Sequence, residues 1–330
     1  MDLGDRRHRF CVLDGAGEVL EEGSVGNDRV ALGGLSKRYP GALLILEAGC
    51  HSPWVSRYLA ERGCRVLVAN PRKLRAIYQN ERKCDRRDAE MLARIGRLDP
   101  ALLAPVRHGS EEAQADLLRI KLRDSLVRAR VALINSVRFS LKSLGYSAPR
   151  PSSARFHKVV EEGLPETLRA MIAPTVQALA ELSARIQVLE REIVQLAQRK
   201  YPQSAQLQQI PGVGPITALY FVLKIEDPAR FENVRDVGAY AGLCPRRDQS
   251  GASDPHLRIT KCGDAYLRRL LVSAAQYILG PFGPASALRQ YGLTLAADGT
   301  ARAKKRATVA VARKLAVLLL SLWSEKGSAP

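Results

Sequence analysis

Between Gly41 and Glu47 the chain carries an unbroken apolar run, Ala42-Leu43-Leu44-Ile45-Leu46, that ends directly on an acid. The run is too short for a core helix and does not alternate, so it reads as a strand covered on both faces. Arg65 to Ala69 is a second buried strand, after a helical stretch from Pro53 to Arg62 that Gly63 closes. Buried strands joined by a helix need packing layers above and below, which restricts this part of the chain to a layered α/β arrangement.

Upstream, Arg9 to Leu13 and Val19 to Val25 flank Gly15-Ala16-Gly17 and read as strands joined by a turn. A helix from about Arg29 to Tyr39 follows and stops at Pro40-Gly41. With Met1 to Leu3 as the stub of a first strand, the order is β-β-β-α-β-α-β. That meander followed by βα crossovers is the ribonuclease-H-like order, on a mixed sheet.

The middle of the chain reads as helical. Leu122, Leu126, Leu133, Val137, Leu141 and Leu144 fall at helical spacing, and Leu179, Leu182, Ile186, Leu189, Ile193 and Leu196 step by alternating threes and fours. Two arrangements satisfy this seam: a helical hairpin within residues 115–198, or a coiled coil to another protomer. Ser147 to Ser153 reads as a linker. After Tyr201-Pro202 the texture changes to short helices and Gly-Pro turns. The expected organisation is α/β plus α: an N-terminal ribonuclease-H-like domain over 1–105, a helical coiled-coil domain over 106–200 and a mostly helical domain over 201–330.

Charge narrows the function. Fifty-one Lys and Arg against 33 Asp and Glu give +18 over 330 residues, a field that draws in polyanions. Nucleic acid is the leading partner and an anionic membrane surface the second. The N-terminus lacks the apolar run of a signal peptide, and the longest apolar stretch, Leu315 to Trp323, is about half a membrane span. The cysteines lack a CxxC, and Cys244, His256 and Cys262 fit no common zinc spacing. Those features predict a reduced, cytoplasmic protein without a membrane anchor.

Several residues suggest chemistry. Asp2 lies on the stub strand, Glu47 ends a buried strand, and Asp85 and Asp88 share a face of a helix running to about Leu98. Carboxylates gathered in this way repel, and Mg²⁺ relieves the repulsion. A pair of such ions clamps the attacking and leaving oxygens of a phosphodiester. Each acid also has an ordinary reading, as a surface acid, a strand end or an N-cap. Arg72, Lys73, Arg82 and Lys83 stand near the acids and suit phosphate. Ile210-Pro211-Gly212-Val213-Gly214-Pro215 resembles a helix-hairpin-helix turn, in which Gly212 and Gly214 let the backbone approach a phosphate. Arg246, Arg247, Arg258, Lys261, Lys304, Lys305 and Arg306 are further candidate phosphate contacts. Ser250, before Gly251 in a polar loop, is on its own turn chemistry.

Together these segments resemble a known family, the bridge-RNA-guided recombinases of insertion sequences, also called DEDD transposases. The resemblance rests on Asp2-Leu3-Gly4 with Arg7 to Asp14, Leu46-Glu47-Ala48-Gly49, Asn70-Pro71 and Lys83 to Ala89. Downstream it rests on Ile210 to Gly214, Tyr240 to Leu243, Pro245-Arg246-Arg247 and Ser250-Gly251, in the family's order. It implies a RuvC-like domain whose Asp2, Glu47, Asp85 and Asp88 hold Mg²⁺. It also implies a C-terminal transposase domain in which Ser250 attacks a DNA phosphodiester and becomes a phosphoserine. Donor and target DNA, a structured noncoding guide RNA and a homo-oligomer, dimer to tetramer, are the implied partners, in a prokaryotic, nucleoid-associated setting. Members carry several residues before the first Asp, whereas only Met1 precedes it here, so Asp2 is expected on a frayed strand end, from a misassigned or truncated start or in an impaired copy. Cys84 replaces the family's usual Thr. A RuvC-like junction nuclease using water, and a non-catalytic nucleic-acid binder, are the alternatives.

Overall fold

The computed structural model describes residues 1–72, 85–251, 253–255 and 257–326, which form two compact units, Met1–Glu111 and a second from Glu112 on. The first unit holds the strands. Strand β1 (Arg7–Leu13) pairs antiparallel with β2 (Val19–Gly26), and β3 (Leu43–Glu47) pairs parallel with β4 (Arg65–Ala69). Helices α1 (Arg29–Arg38), α2 (Ser52–Ala60) and α3 (Asp85–Leu98) complete the unit.

The first two residues join the strand pairs. Asp2 exchanges both backbone hydrogen bonds with Arg9 of β1, at 2.8 and 2.9 Å, while the Met1 amino group donates to Ile45 O of β3 at 2.7 Å. The lateral order is therefore β2, β1, the Met1–Asp2 stub, β3, β4. The expectation of a frayed Asp2 is corrected: Met1 is buried and its neighbours on both sides are strands. Backbone donors of successive residues point to opposite edges, so two residues suffice to bridge two strands.

Both sheet faces are covered, which explains the unbroken run at 42–46. Leu46 packs with Leu32, Leu35, Val55 and Leu59 on the α1–α2 side, and Ile45 with Leu92, Ala69 and Leu103 on the α3 side. Gly96 permits the close approach of α3, because a Cβ there would overlap Ile45 Cδ1.

In the second unit, α4 (Glu111–Ser143) and α6 (Glu166–Lys200) form an antiparallel hairpin, with the short α5 (Phe156–Val159) between them. The register is marked by Arg123 with Glu190, Arg130 Nη1 with Ser183 Oγ at 3.4 Å, and Lys200 Nζ with Asp116 Oδ2 at 2.5 Å. Of the two arrangements open for the α6 seam, the hairpin accounts for Leu179, Ile186 and Ile193, which are buried; Leu182, Leu189 and Leu196 are only partly covered.

Asp116 accepts from Lys200 and, at 2.7 Å, from the Tyr201 hydroxyl. Burial pushes its carboxyl upward, but these two donors outweigh burial and hold it below its ordinary 3.8, while burial and Asp116 push Tyr201 up to about 12. A depressed carboxylate pKa contributes stability above its unfolded value that is lost as pH falls through the folded one. Asp116→Asn is expected to cost roughly 2 kcal/mol at pH 7, and urea titrations should show the gap to wild type closing below pH 3.8.

The remaining helices are α7 (Gln203–Leu207), α8 (Pro215–Ile225), α9 (Asp236–Tyr240), α10 (Ala265–Leu279), α11 (Ala287–Leu295) and α12 (Ala301–Lys326). Their core contains nearly all of α8, with Tyr220 and Phe221 fully buried, and one face of α12 through Val311, Leu315 and Leu319. By length and composition α12 is apolar enough to cross a membrane; in this fold its buried face packs against α10 and α11.

Candidate active site

Three of the predicted acids lie on neighbouring elements of the first unit. Asp2 is bridged to β1, Glu47 ends β3 opposite Ala69 of β4, and Asp88 sits buried in the first turn of α3, which packs on β1 and β3. Asp85 is described as the first residue of α3 and not by its side chain. Helix α3 is pinned to the β1–β2 turn by Arg94 Nη1, which donates to Gly17 O at 3.1 Å, and by Arg97, which donates to Gly15 O. Arg86 is ion-paired to Glu22 of β2. Burial lowers the Met1 amino group to about 6, against the opposing pull of Asp2, Cys11 and Glu47.

Sequence reasoning missed what fixes the loop after Glu47. Ser52 Oγ accepts from Gly49 N and donates to Gly49 O, both at 2.9 Å, and lies 2.8 Å from His108 Nε2. A Ser three residues after a Gly was its only signal.

The acids suit a hard divalent cation by donor chemistry, since all are carboxylates and one is buried. Among the described residues, no three His, Cys, Asp or Glu side chains are already gathered as a metal centre. Of the neighbouring basic candidates, Arg72 is exposed with its backbone N–H on Asn70 Oδ1. Lys73, Arg82, Lys83 and Cys84 lie outside the described residues.

In the second unit the polar loop around Ser250 is a β-ribbon. Arg246 N donates to Arg258 O and Thr260 N to Cys244 O, each at 2.9 Å, and Ser250 and Ser253 exchange both backbone bonds at the tip. Gly251, just past Ser250, has φ +54°, the backbone sign a tight hairpin turn asks of its first central residue. Ser250 is exposed, and its hydroxyl makes no hydrogen bond among the described residues.

The ribbon's neck is held where the chain crosses itself. Gly242 has φ +68° and Gly263 +84°; a Cβ on the first would overlap Cys262 O, and on the second Tyr240 O. Arg268 Nη1 clamps the crossing by donating to Ala241 O at 3.1 Å. Asp264 caps α10 through Tyr266 N and Leu267 N, and takes the Tyr220 hydroxyl and Lys224 besides. Burial pushes its carboxyl up, but the Leu267 N–H and Lys224 hold it below the usual range. Gly242→Ala combines a disallowed φ with a backbone overlap, each costing on the order of 1–3 kcal/mol. The expected result is a Tm lowered by several degrees, measured by thermal denaturation against wild type.

A cleft of about 2020 Å³ runs between the ribbon and α12. Arg246, Arg247, Arg258 and Lys261 line one side, and Lys305 and Arg306 the other; Lys304 does not line it, because it falls on a different phase of α12. Sequence reasoning also missed Arg235 and Tyr291 in its wall. The glycine reading divides. Gly214 is open at the N-cap of α8, but a Cβ on Gly212 would meet Ala274 O of α10 at 2.8 Å. Gly212 therefore permits the close packing of this turn on α10.

Comparison with known proteins supplies the class. Residues 204–290 match the model described as the transposase IS116/IS110/IS902 family, and residues 1–145 match a DEDD transposase model of IS110 type. The transposase for insertion sequence element IS1328 of Yersinia enterocolitica is 31% identical over 241 residues, covering 72% of this chain and 71% of its own. A putative transposase, y4rJ, of Sinorhizobium fredii is 31% identical over 312 residues, covering 87% and 77%. The transposase for IS1111A of Coxiella burnetii is 26% identical over 333 residues, covering 99% and 89%. The protein is therefore a transposase, an enzyme of DNA strand transfer. Specifically, it belongs to the IS110/IS116 family of insertion-sequence transposases.

Proposed function

We propose that the chain is an RNA-guided recombinase of its insertion sequence, with Ser250 as the nucleophile and Asp2, Glu47, Asp85 and Asp88 as the ligands of Mg²⁺. The single observation that carries the reading is the exposed Ser250 at the tip of a ribbon whose flanks line an Arg- and Lys-rich cleft. The lateral order of the strands, with Asp2 in the middle position and Glu47 on the next strand, supports a RuvC-like, ribonuclease-H-like domain. Helix α8 with its open N-terminus after Gly214 supports a helix-hairpin-helix contact to a DNA backbone.

The chemistry is a transesterification. A bond forms between Ser250 Oγ and phosphorus as the bond from phosphorus to the leaving sugar oxygen breaks, and the hydroxyl proton ends on that oxygen. Bond number is conserved, so the reverse step rejoins strands without an energy source. The divalent cation, when bound, neutralises phosphate charge and lowers the pKa of the attacking hydroxyl. Arg246 and Arg258 hold phosphates beside the tip; Gly242, Gly263 and Arg268 hold the tip itself.

Guidance by RNA, and the dimer or tetramer it acts on, follow from the same family reading. The test is recombination between donor and target plasmids in cells, with or without the noncoding flank of the element. Recombination that redirects when the flank sequence is changed supports guidance; recombination that proceeds equally without the flank overturns it.

A further inference from the structure

The cleft beside Ser250 has a composition that phosphate binding alone does not explain. Among the described residues its charged lining is Arg and Lys with the single exception of Asp254, on both walls. Between them the surface is apolar. Leu257 on the ribbon and Leu318 on α12 are each more than a third exposed, and Ile259, Leu288 and Val317 continue the floor. Tyr291 lies in the same wall, half-buried, with one face of its ring covered by Lys314, whose Nζ is 3.6 Å from the ring centroid. From Arg302 to Ser321, α12 lines the cleft for about 28 Å at the helical rise of 1.5 Å per residue.

A duplex buries its base faces in its own stack and offers a protein phosphates and groove edges. Exposed leucines and an aromatic floor gain nothing from those. A helix that reads a major groove must also stand clear of its surroundings to enter it, whereas α12 is buried on one side and faces the ribbon on the other. An unpaired strand presents phosphates and bare base faces together, and proteins hold it by a positive groove combined with apolar and aromatic stacking surfaces.

We infer that this cleft holds a single unpaired nucleic-acid strand, with phosphates on the cationic walls and bases on the Leu257–Tyr291–Leu318 floor, delivering it to the ribbon tip. The inference rests on the reading of the cleft as the nucleic-acid grip, and specifies the form of its ligand. The strand has two sources, an opened DNA duplex or an RNA, which share this chemistry.

The test uses the full chain and fluorescence anisotropy with a 20-nucleotide single-stranded DNA, the same sequence as RNA, and the DNA duplex. Leu257→Ser with Leu318→Ser changes exposed side chains only, and Tyr291→Leu keeps apolar bulk should one variant misfold; circular dichroism checks each. Stacking losses are expected to weaken single-strand binding about tenfold, with duplex affinity within about twofold of wild type. Loss in the DNA arm assigns the strand to DNA, and loss in the RNA arm to RNA; either supports the inference. Equal loss for duplex and single strands, or none for either, overturns it. Lys305→Ala with Arg306→Ala separates the layers: if it weakens no nucleic acid, the cleft is not the grip and the underlying reading fails. If it weakens duplex while the floor variants do nothing, only the single-strand inference fails.

Discussion

Asp88→Asn is expected to lower strand transfer by at least about a thousandfold, equivalent to about 4 kcal/mol of transition-state stabilisation. The substitution is isosteric, replacing one carboxylate oxygen with an amide nitrogen in a residue that is only 7% exposed. It removes a negative charge and leaves the packing of α3 on β1 intact. DNA affinity should therefore stay within about twofold, because the proposed phosphate contacts are Arg and Lys side chains that the substitution leaves unchanged. Parallel single-turnover and binding assays check both halves. Retained transfer would remove Asp88 from the site and favour a non-catalytic binder.

Ser250→Ala is expected to abolish strand transfer and leave stability within about 0.5 kcal/mol of wild type, since an exposed surface hydroxyl contributes little to folding. The backbone exchange with Ser253, which shapes the tip, is untouched by the change. Thermal denaturation and a recombination assay on the same preparation separate chemistry from folding. A drop in Tm of many degrees would instead make Ser250 a structural turn residue, the ordinary reading of a serine before glycine.

The contrast between units shows which physical signals a sequence carries. Strands β3 and β4 and the helix between them were legible because burial on both faces leaves an unbroken apolar run, and Glu47 stands out as the acid that ends one. Asp85 and Asp88 were legible as a helix start. The ribbon around Ser250 was not, because its cross-strand pairs, Arg246 with Arg258 and Cys244 with Thr260, are polar and show no alternation. Its trace in the sequence is Gly242 and Gly263, two glycines that permit a backbone crossing and give no periodicity. Gly212 carries a constraint that its motif does not spell out, the close approach of Ala274 O of α10. Lys304 beside Lys305 shows that a basic run on a helix divides by phase, so only part of it faces the cleft.

The junction-nuclease alternative shares the acids and has no use for Ser250, so the decisive measurement is the covalent state of that serine. The protein, with RNA transcribed from the noncoding flank of its element, is incubated with a nicked suicide DNA substrate, digested, and its peptides are mapped by mass spectrometry. The account predicts a nucleotide phosphate on the peptide containing Ser250, absent with Ser250→Ala and with Asp88→Asn. Cleaved DNA with no modified peptide, or an adduct on another residue, would contradict it.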